Sequence, residues 1–161
     1  MRLVKNIYKK LYKLSIRILI VALLLCFGFM NSTPAVAANV SGGLLKEQAT
    51  EITVSLGNSA NELKFEPNHL ELVAGKRYNL QLTNPSQQKH YFTAKDFADG
   101  IWTQKVEAGK VEIKGAIHEV ELKPGGEAEW VFVPLKPGSY SLRCPIPGHT
   151  EAGMTGEIVI N

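Results

Sequence analysis

Cysteine is scarce in this chain, and its scarcity excludes a fold held together by internal disulfides. The sequence has two cysteines and four histidines among 161 residues. Cys26 lies within an apolar N-terminal run, which leaves Cys144 as the one thiol of the remaining chain. A single thiol cannot form an internal disulfide, so Cys144 is free, intermolecular or bound to a metal.

Acidic residues are absent from the N-terminal segment, which has the composition of an export signal. Residues 1–37 hold six of the eighteen Lys and Arg residues and none of the fifteen acids. An apolar run from Ile18 to Met30 and the small-x-small sequence Ala35-Val36-Ala37 follow, so we predict a secretory signal peptide over 1–37. An uncleaved anchor is the alternative, but the run would span roughly 20 Å of a roughly 30 Å hydrocarbon core.

A basic excess is also missing once the signal is removed. The mature chain keeps twelve basic and fifteen acidic side chains, a net charge of about −3, so the +3 of the whole sequence comes from the signal. A nucleic-acid partner is therefore not expected. The 124 residues beyond position 37 of 161 are enough for one compact domain over 51–161, preceded by a flexible lead-in over 38–50.

No long helical period is present, and the pattern is that of short strands between turns. Alternating apolar residues recur in segments such as Ile52 to Leu56, Tyr78 to Leu82 and Tyr140 to Leu142, with Gly, Pro or Asn at the ends. Such spacing predicts an all-β sandwich or barrel of about seven or eight strands. A short helix is expected near Lys95 to Ala98, at the start of an otherwise irregular stretch that extends to Gly115.

One loop near the C-terminus concentrates metal-binding side chains. It reads Cys144-Pro-Ile-Pro-Gly-His149-Thr-Glu-Ala-Gly-Met154, so four residues separate the thiol from the imidazole and four separate the imidazole from the thioether. Cys144 has the strand parity of Leu142, which aims its sulfur inward. A thiolate with two imidazoles and a weak thioether suits both oxidation states of copper. The loop thus predicts three ligands of a mononuclear copper site, which requires a second imidazole.

Three upstream histidines compete for the place of that second imidazole. His90 opens a predicted strand, and it meets Cys144 if the preceding connection lies at the end of the sandwich where the Cys144 strand stops. His118 is the alternative ligand: its parity could turn it inward, but the path of the chain puts it at the opposite end. His69 has the parity of a polar neighbour and is expected at the surface. We therefore predict His90 as the ligand.

Other interpretations of the motif explain less of it. Zinc is the weaker metal alternative, since structural zinc usually has four Cys or His ligands and thioether sulfur binds it poorly. A Cys–His catalytic pair would need a third orienting group, and none is evident. A metal-free sandwich used for adhesion or assembly leaves the motif unexplained. His69 and His118 do not supply the second copper cluster of an oxidase, so an enzyme is not expected.

These residues resemble the cupredoxin family, the small blue-copper proteins. The resemblance extends over about Glu51 to Asn161, and the loop spacing is most similar to that of auracyanin and rusticyanin. It implies a Greek-key sandwich with one type 1 copper ion, in which His90, Cys144 and His149 are equatorial ligands and Met154 is axial. Tyr91 departs from the pattern, because many members have Asn there, whose side chain ties the two ligand loops together. The other matching segments are Phe65-Glu-Pro67, Leu72-Val-Ala-Gly75 and Pro137-Gly138-Ser-Tyr140.

The function that follows is transfer of single electrons by a periplasmic or otherwise exported protein that cycles between Cu(I) and Cu(II). Its expected partners are redox proteins in weak, transient complexes. The mature chain is expected to be a monomer without a membrane span. A periplasmic copper-binding protein for copper resistance or delivery is the alternative, because the same four ligands would serve it.

The export signal predicts where the mature chain begins. Cleavage after Ala37 gives a protein that starts at Ala38, or at Asn39 after one further residue is lost, because small residues occupy Ala35 and Ala37. Mass spectrometry of the exported form measures this directly. Recovery of the full-length chain in membranes alone would contradict it.

Overall fold

A computed structural model describes residues 48–161 of the chain. The predicted signal peptide over 1–37 and most of the lead-in, 38–47, lie outside the described residues. Between residues 48 and 161, no helix has both the length and the apolar character that crossing a membrane would require.

The described residues form eleven strands and one short helix. In chain order they are β1 (Thr50–Leu56), β2 (Phe65–Glu66), β3 (His69–Leu72), β4 (Tyr78–Thr83), β5 (His90–Thr93), α1 (Lys95–Ala98), β6 (Ile101–Ala108), β7 (Val111–Ile113), β8 (Glu119–Leu122), β9 (Glu127–Pro134), β10 (Gly138–Arg143) and β11 (Thr155–Ile160).

The strands make two mixed sheets that share one core. The first has the order β2-β1-β4-β9-β6-β7 and the second the order β3-β11-β10-β5-β8. The pairs β1–β4 and β3–β11 are parallel, and the other pairs are antiparallel. Alternate residues of both sheets point into the core, among them Leu80, Phe92, Trp130 and Ile158. The predicted all-β sandwich is confirmed. It has more strands than the seven or eight expected, and two of them, β2 and β7, are only two and three residues long.

The expectation of an irregular stretch up to Gly115 is wrong beyond the helix. The predicted helix is present as α1, but the eight-residue strand β6 and the three-residue strand β7 follow it as a hairpin. The register of β6 against β9 shifts between Thr103 and Lys105. Only Val106 of β6 is buried, and all of β7 is exposed. A bulge interrupts the strict alternation of apolar and polar residues, and most of β6 and β7 is not buried, so the sequence pattern gave no strand signal there.

Aromatic rings fill the core between the two sheets. Phe97 of α1 stands edge-on to Trp130, Phe132 and Tyr140, with ring centroids 5.4–6.1 Å apart. Trp130 is fully buried, and its Nε1 donates a hydrogen bond to Thr103 Oγ1 at 3.1 Å. Edge-to-face rings at such separations stabilise each other beyond the area they bury. The one-turn helix is therefore held mainly by Phe97.

Replacement of Phe97 tests this role. Phe97→Ala should lower the free energy of unfolding by about 3–5 kcal/mol, the usual cost of removing a buried phenyl ring. Urea denaturation of the metal-free protein measures the loss. Leu135→Ala is the control, because Leu135 is 54% exposed and its truncation should change stability by about 0.5 kcal/mol at most. Equal losses in the two variants would contradict the assignment.

Candidate metal centre

Strand pairing brings the four predicted ligand residues to one end of the sandwich. In the second sheet, Arg143 at the end of β10 lies opposite Thr93 of β5 on one side and Thr155 of β11 on the other. Cys144 follows Arg143, and Met154 precedes Thr155. His90 begins β5, which runs antiparallel to β10. We call this end, where β10 stops and β5 and β11 start, the ligand end.

Three of these side chains meet in a buried group. Nitrogen atoms of His90 and His149 and the sulfur of Cys144 lie within 4.8 Å of one another. His149 Nδ1 is 3.5 Å from Cys144 Sγ, and the two imidazole ring centroids are 5.1 Å apart. Cys144 is fully buried, His90 is 1% exposed and His149 is 8% exposed. Among residues 48–161, this is the one group of three His, Cys, Asp or Glu side chains found close enough to hold a metal ion.

Backbone hydrogen bonds connect the fourth residue, Met154, to two of the others. Cys144 N donates to Met154 O at 3.1 Å, and Met154 N donates to His149 O at 2.9 Å. Met154 is fully buried. Gly148 and Gly153 have φ angles of 86° and 104°, values that residues with a side chain rarely adopt. The loop between β10 and β11 therefore folds back on itself, and this fold brings Cys144, His149 and Met154 close together.

Thr150 adds a side-chain bond to this loop that the sequence did not reveal. Its hydroxyl donates to Cys144 O at 2.7 Å. Short hydroxyl side chains often form hydrogen bonds to nearby backbone in this way. The Thr directly after His149 was therefore the one sequence signal for this bond. The bond ties the segment after His149 to the residue that carries the thiol.

The His90 ring is held in an environment that favours its neutral form. Burial, and next the nearby charge of His149, lower the pKa of His90 below its usual value. Neither ring nitrogen has a hydrogen-bond partner within the described part of the chain. Nε2 faces Gly57, since a Cβ added at Gly57 would lie 3.0 Å from it. Nδ1 is therefore the nitrogen left for a metal, and a neutral imidazole has the lone pair that a metal needs.

The two other described histidines lie away from this group. His118 bonds Asp99 Oδ1 through Nε2 at 2.7 Å, and its side chain is 42% exposed. Its carbonyl accepts from Ala94, just after β5, so it lies at the opposite end of that strand from His90. His69 is 49% exposed between Glu71 and Glu157.

Tyr91 points away from the ligand loop. Its hydroxyl donates to Glu121 on the neighbouring strand β8, and Lys89 Nζ lies 3.3 Å from the same hydroxyl. Lys89 also lies 3.4 Å from Glu121. Tyr91 therefore ties β5 to β8 on the outer face of the second sheet.

The donor set fits copper. One thiolate, two imidazoles and one thioether, buried at the end of a β-sandwich, are the ligands and setting of a type 1 copper site. Zinc prefers four Cys or His ligands, and only three are grouped here. The two unpartnered nitrogens of His90 fit the same interpretation, because buried polar atoms without partners are rare. Fold and site together define the class of small blue-copper β-sandwiches.

Comparison with known proteins gives the family. A model of the cupredoxin-like domain matches residues 18–160, and the chain belongs to this family. It is 30% identical to the chloroplastic plastocyanin of Fritillaria agrestis over 127 residues, which cover 79% of this chain and 70% of that protein.

Two further relatives bear on fold and function. The copper-resistant cuproprotein CopI of Rubrivivax gelatinosus is 27% identical over 110 residues, 63% of this chain and 62% of that protein, so the match spans less than two thirds of CopI. The dithionite-reduced auracyanin of Roseiflexus castenholzii has a TM-score of 0.50 at 20% identity, and the match covers 71% of this chain and 99% of that one. The auracyanin likeness concerns the fold alone.

Proposed function

We propose that this chain is an exported protein that binds one copper ion and carries single electrons. His90, Cys144 and His149 are the equatorial ligands, and Met154 is the weak axial one. The observation that carries the proposal is the buried group of one thiol and two imidazoles with donor atoms within 4.8 Å. Bound copper supplies the one-electron Cu(I)/Cu(II) couple.

The chain contributes a frame that limits ligand movement. His90 begins β5 and Cys144 directly follows β10, two strands that pair within one sheet, and Met154 directly precedes a third strand of that sheet. The backbone bonds among Cys144, His149 and Met154 fix the loop between them. Ligands held by such a frame move little when the oxidation state changes, and small movement favours fast electron exchange.

His149 is the proposed exit for the electron. It is the most exposed of the four ligand residues at 8%, compared with 1% for His90. The residues before it on the loop are Pro145 and Pro147, both exposed, and the half-buried Ile146. A small apolar surface of this kind suits the weak encounters of redox proteins.

A second candidate function is copper handling for resistance or delivery, which the match to CopI favours. The ligands would be the same, but the protein would give up its copper to another protein. An electron carrier is oxidised and reduced reversibly over many cycles and retains its copper, whereas a delivery protein transfers the metal to an acceptor protein. Neither function requires catalysis, and we propose no enzymatic activity.

The proposal includes the organisation predicted from the sequence. Residues 1–37 act as the export signal, 38–50 as the lead-in and 51–161 as the copper domain, a periplasmic monomer after cleavage. The first described strand begins at Thr50. The family match extends upstream to residue 18, within the predicted signal.

Removal of the thiolate tests the copper site. Protein loaded with Cu(II) should show an intense visible absorption from thiolate-to-copper charge transfer, and Cys144→Ser should abolish it. The variant should still fold, because the apolar core of the sandwich exists without the metal. Optical and EPR spectra measure the first effect, and circular dichroism measures the second. Persistence of the colour in Cys144→Ser would contradict the assignment.

A second pair of variants tests the choice of imidazole. His90→Gly should open an equatorial position and change the copper spectrum, and added imidazole should restore it by refilling the position. His118→Gly should leave the spectrum unchanged, because His118 bonds Asp99 at the other end of β5. The reverse pattern, with imidazole rescue of His118→Gly, would show that His118 is the ligand.

A further inference from the structure

We propose that Asn84, which lies outside the ligand set, is a positioning residue for the first ligand, His90. The inference rests on the proposed copper function. It goes beyond that function because it attributes the position of one ligand, His90, to a buried network of hydrogen bonds. Asn84 immediately follows β4 and starts the connection over 84–89 that ends at His90.

The Asn84 side chain is buried and fully used in hydrogen bonds. It is 1% exposed. Its Nδ2 donates to Gln88 O at 2.7 Å and to Leu122 O at 2.9 Å. Its Oδ1 accepts from the backbone nitrogen of Ser86 at 3.1 Å and from Ser86 Oγ at 2.8 Å. A carboxamide that makes two donor and two acceptor contacts in a buried site leaves little freedom to the segments it joins.

The two carbonyls that Asn84 holds lie on either side of the ligand. Gln88 is two residues before His90 on the same connection. Leu122 is the residue of β8 that pairs with His90 in the sheet. The backbone of Asn84 also exchanges hydrogen bonds with Gly125 and Gly126, the turn after β8, at 2.8 and 3.0 Å. One side chain therefore fixes His90 relative to its own loop and to its neighbouring strand.

Packing carries this restraint to the imidazole ring itself. Ser86 Oγ also lies 2.9 Å from Gln88 O, so its one proton is shared between that carbonyl and Asn84 Oδ1. A Cβ placed on Gly57 would lie 3.0 Å from His90 Nε2 and 3.2 Å from Ser86 Cβ, so these three residues meet without spare room. Close packing transmits displacement because no void absorbs it. A shift of the 84–89 connection would therefore move the His90 ring relative to Cys144.

The network requires the chemistry of asparagine. Asp at this position would keep the acceptors for Ser86 but lose both donors and bury a charge beside two carbonyl oxygens, which is costly. Ala would remove the Asn84 bonds to the carbonyls of Gln88 and Leu122 and to both donors of Ser86. Either change removes the restraint on His90 without touching a ligand.

The experiment compares three variants of the exported protein. Asn84→Ala removes the whole network. Ser86→Ala removes only the hydroxyl bonds, and it keeps the test open if Asn84→Ala folds poorly. Leu72→Ala is the control: Leu72 is 1% exposed in β3, its partner Ile160 ends β11 away from the ligand end, and its truncation destabilises the core without reaching the copper site.

In copper-loaded protein we expect Asn84→Ala to weaken copper binding by about 10–100-fold, the usual effect of removing support behind a ligand. The midpoint potential and the EPR hyperfine splitting should change with it, and Ser86→Ala should change both in the same direction by less. Leu72→Ala should keep the wild-type potential and spectrum at temperatures where it is folded. Wild-type potentials and copper affinities in both Asn84→Ala and Ser86→Ala would overturn the proposal.

A measurement without metal separates this inference from the proposed function. In apoprotein, amide hydrogen exchange over residues 86–91 should accelerate by about tenfold or more in Asn84→Ala, while β11 stays protected. If wild-type protein gives no blue copper spectrum, the proposed function fails, and the exchange arm still reports whether Asn84 orders His90. Unchanged exchange over 86–91 in a folded Asn84→Ala variant would overturn the positioning role by itself.

Discussion

The pairing of β10 with both β5 and β11 is the constraint on which the candidate site depends. Arg143 lies opposite Thr93 and Thr155 at once, so residues of three strands form one row across the second sheet. Cys144 and Met154 adjoin that row of residues, and His90 lies three residues before Thr93. A slip of one residue in either pairing would turn a proposed ligand to the other face. The apolar core residues on these strands, such as Phe92, Leu142 and Ile158, stabilise the register because they would be exposed by the same slip.

The energetics of the site and the fold are separable. Trp130, Phe97, Phe132 and their neighbours form an apolar core from side chains alone. The ligand end, in contrast, buries His90 with no hydrogen-bond partner on either ring nitrogen among the described residues, and an unpaired buried polar group costs about 1–3 kcal/mol. A bound metal would offset that cost at Nδ1. The core thus holds a costly arrangement of donors ready for the ion, as a preorganised site requires.

The sequence predicted those features that depend on only a few neighbouring residues. The spacing of Cys144, His149 and Met154 within one loop indicated a metal site, and the parity of His69 with Glu71 indicated an exposed side chain. The β6–β7 hairpin was missed because its bulge removes the period of two and its residues are mostly exposed. The Asn84 network was missed because its partners, Gln88 and Leu122, are brought together only by the pairing of β5 with β8. An Asn-Pro pair reads from sequence as an ordinary turn.

The fold buries the imidazole of His90 more deeply than that of His149. This difference indicates the side of the proposed carrier on which a redox partner would dock. His90 is enclosed by Gly57, Ser86 and the end of β8, and Tyr91 beside it bonds Glu121 on the outer face. His149 lies on the loop after Pro145 and Pro147 and is 8% exposed. Electron transfer weakens steeply with distance, so a partner gains most by docking where a ligand reaches the surface. The packing around His90 also closes its side of the site, which leaves His149 as the proposed route by which an electron enters and leaves.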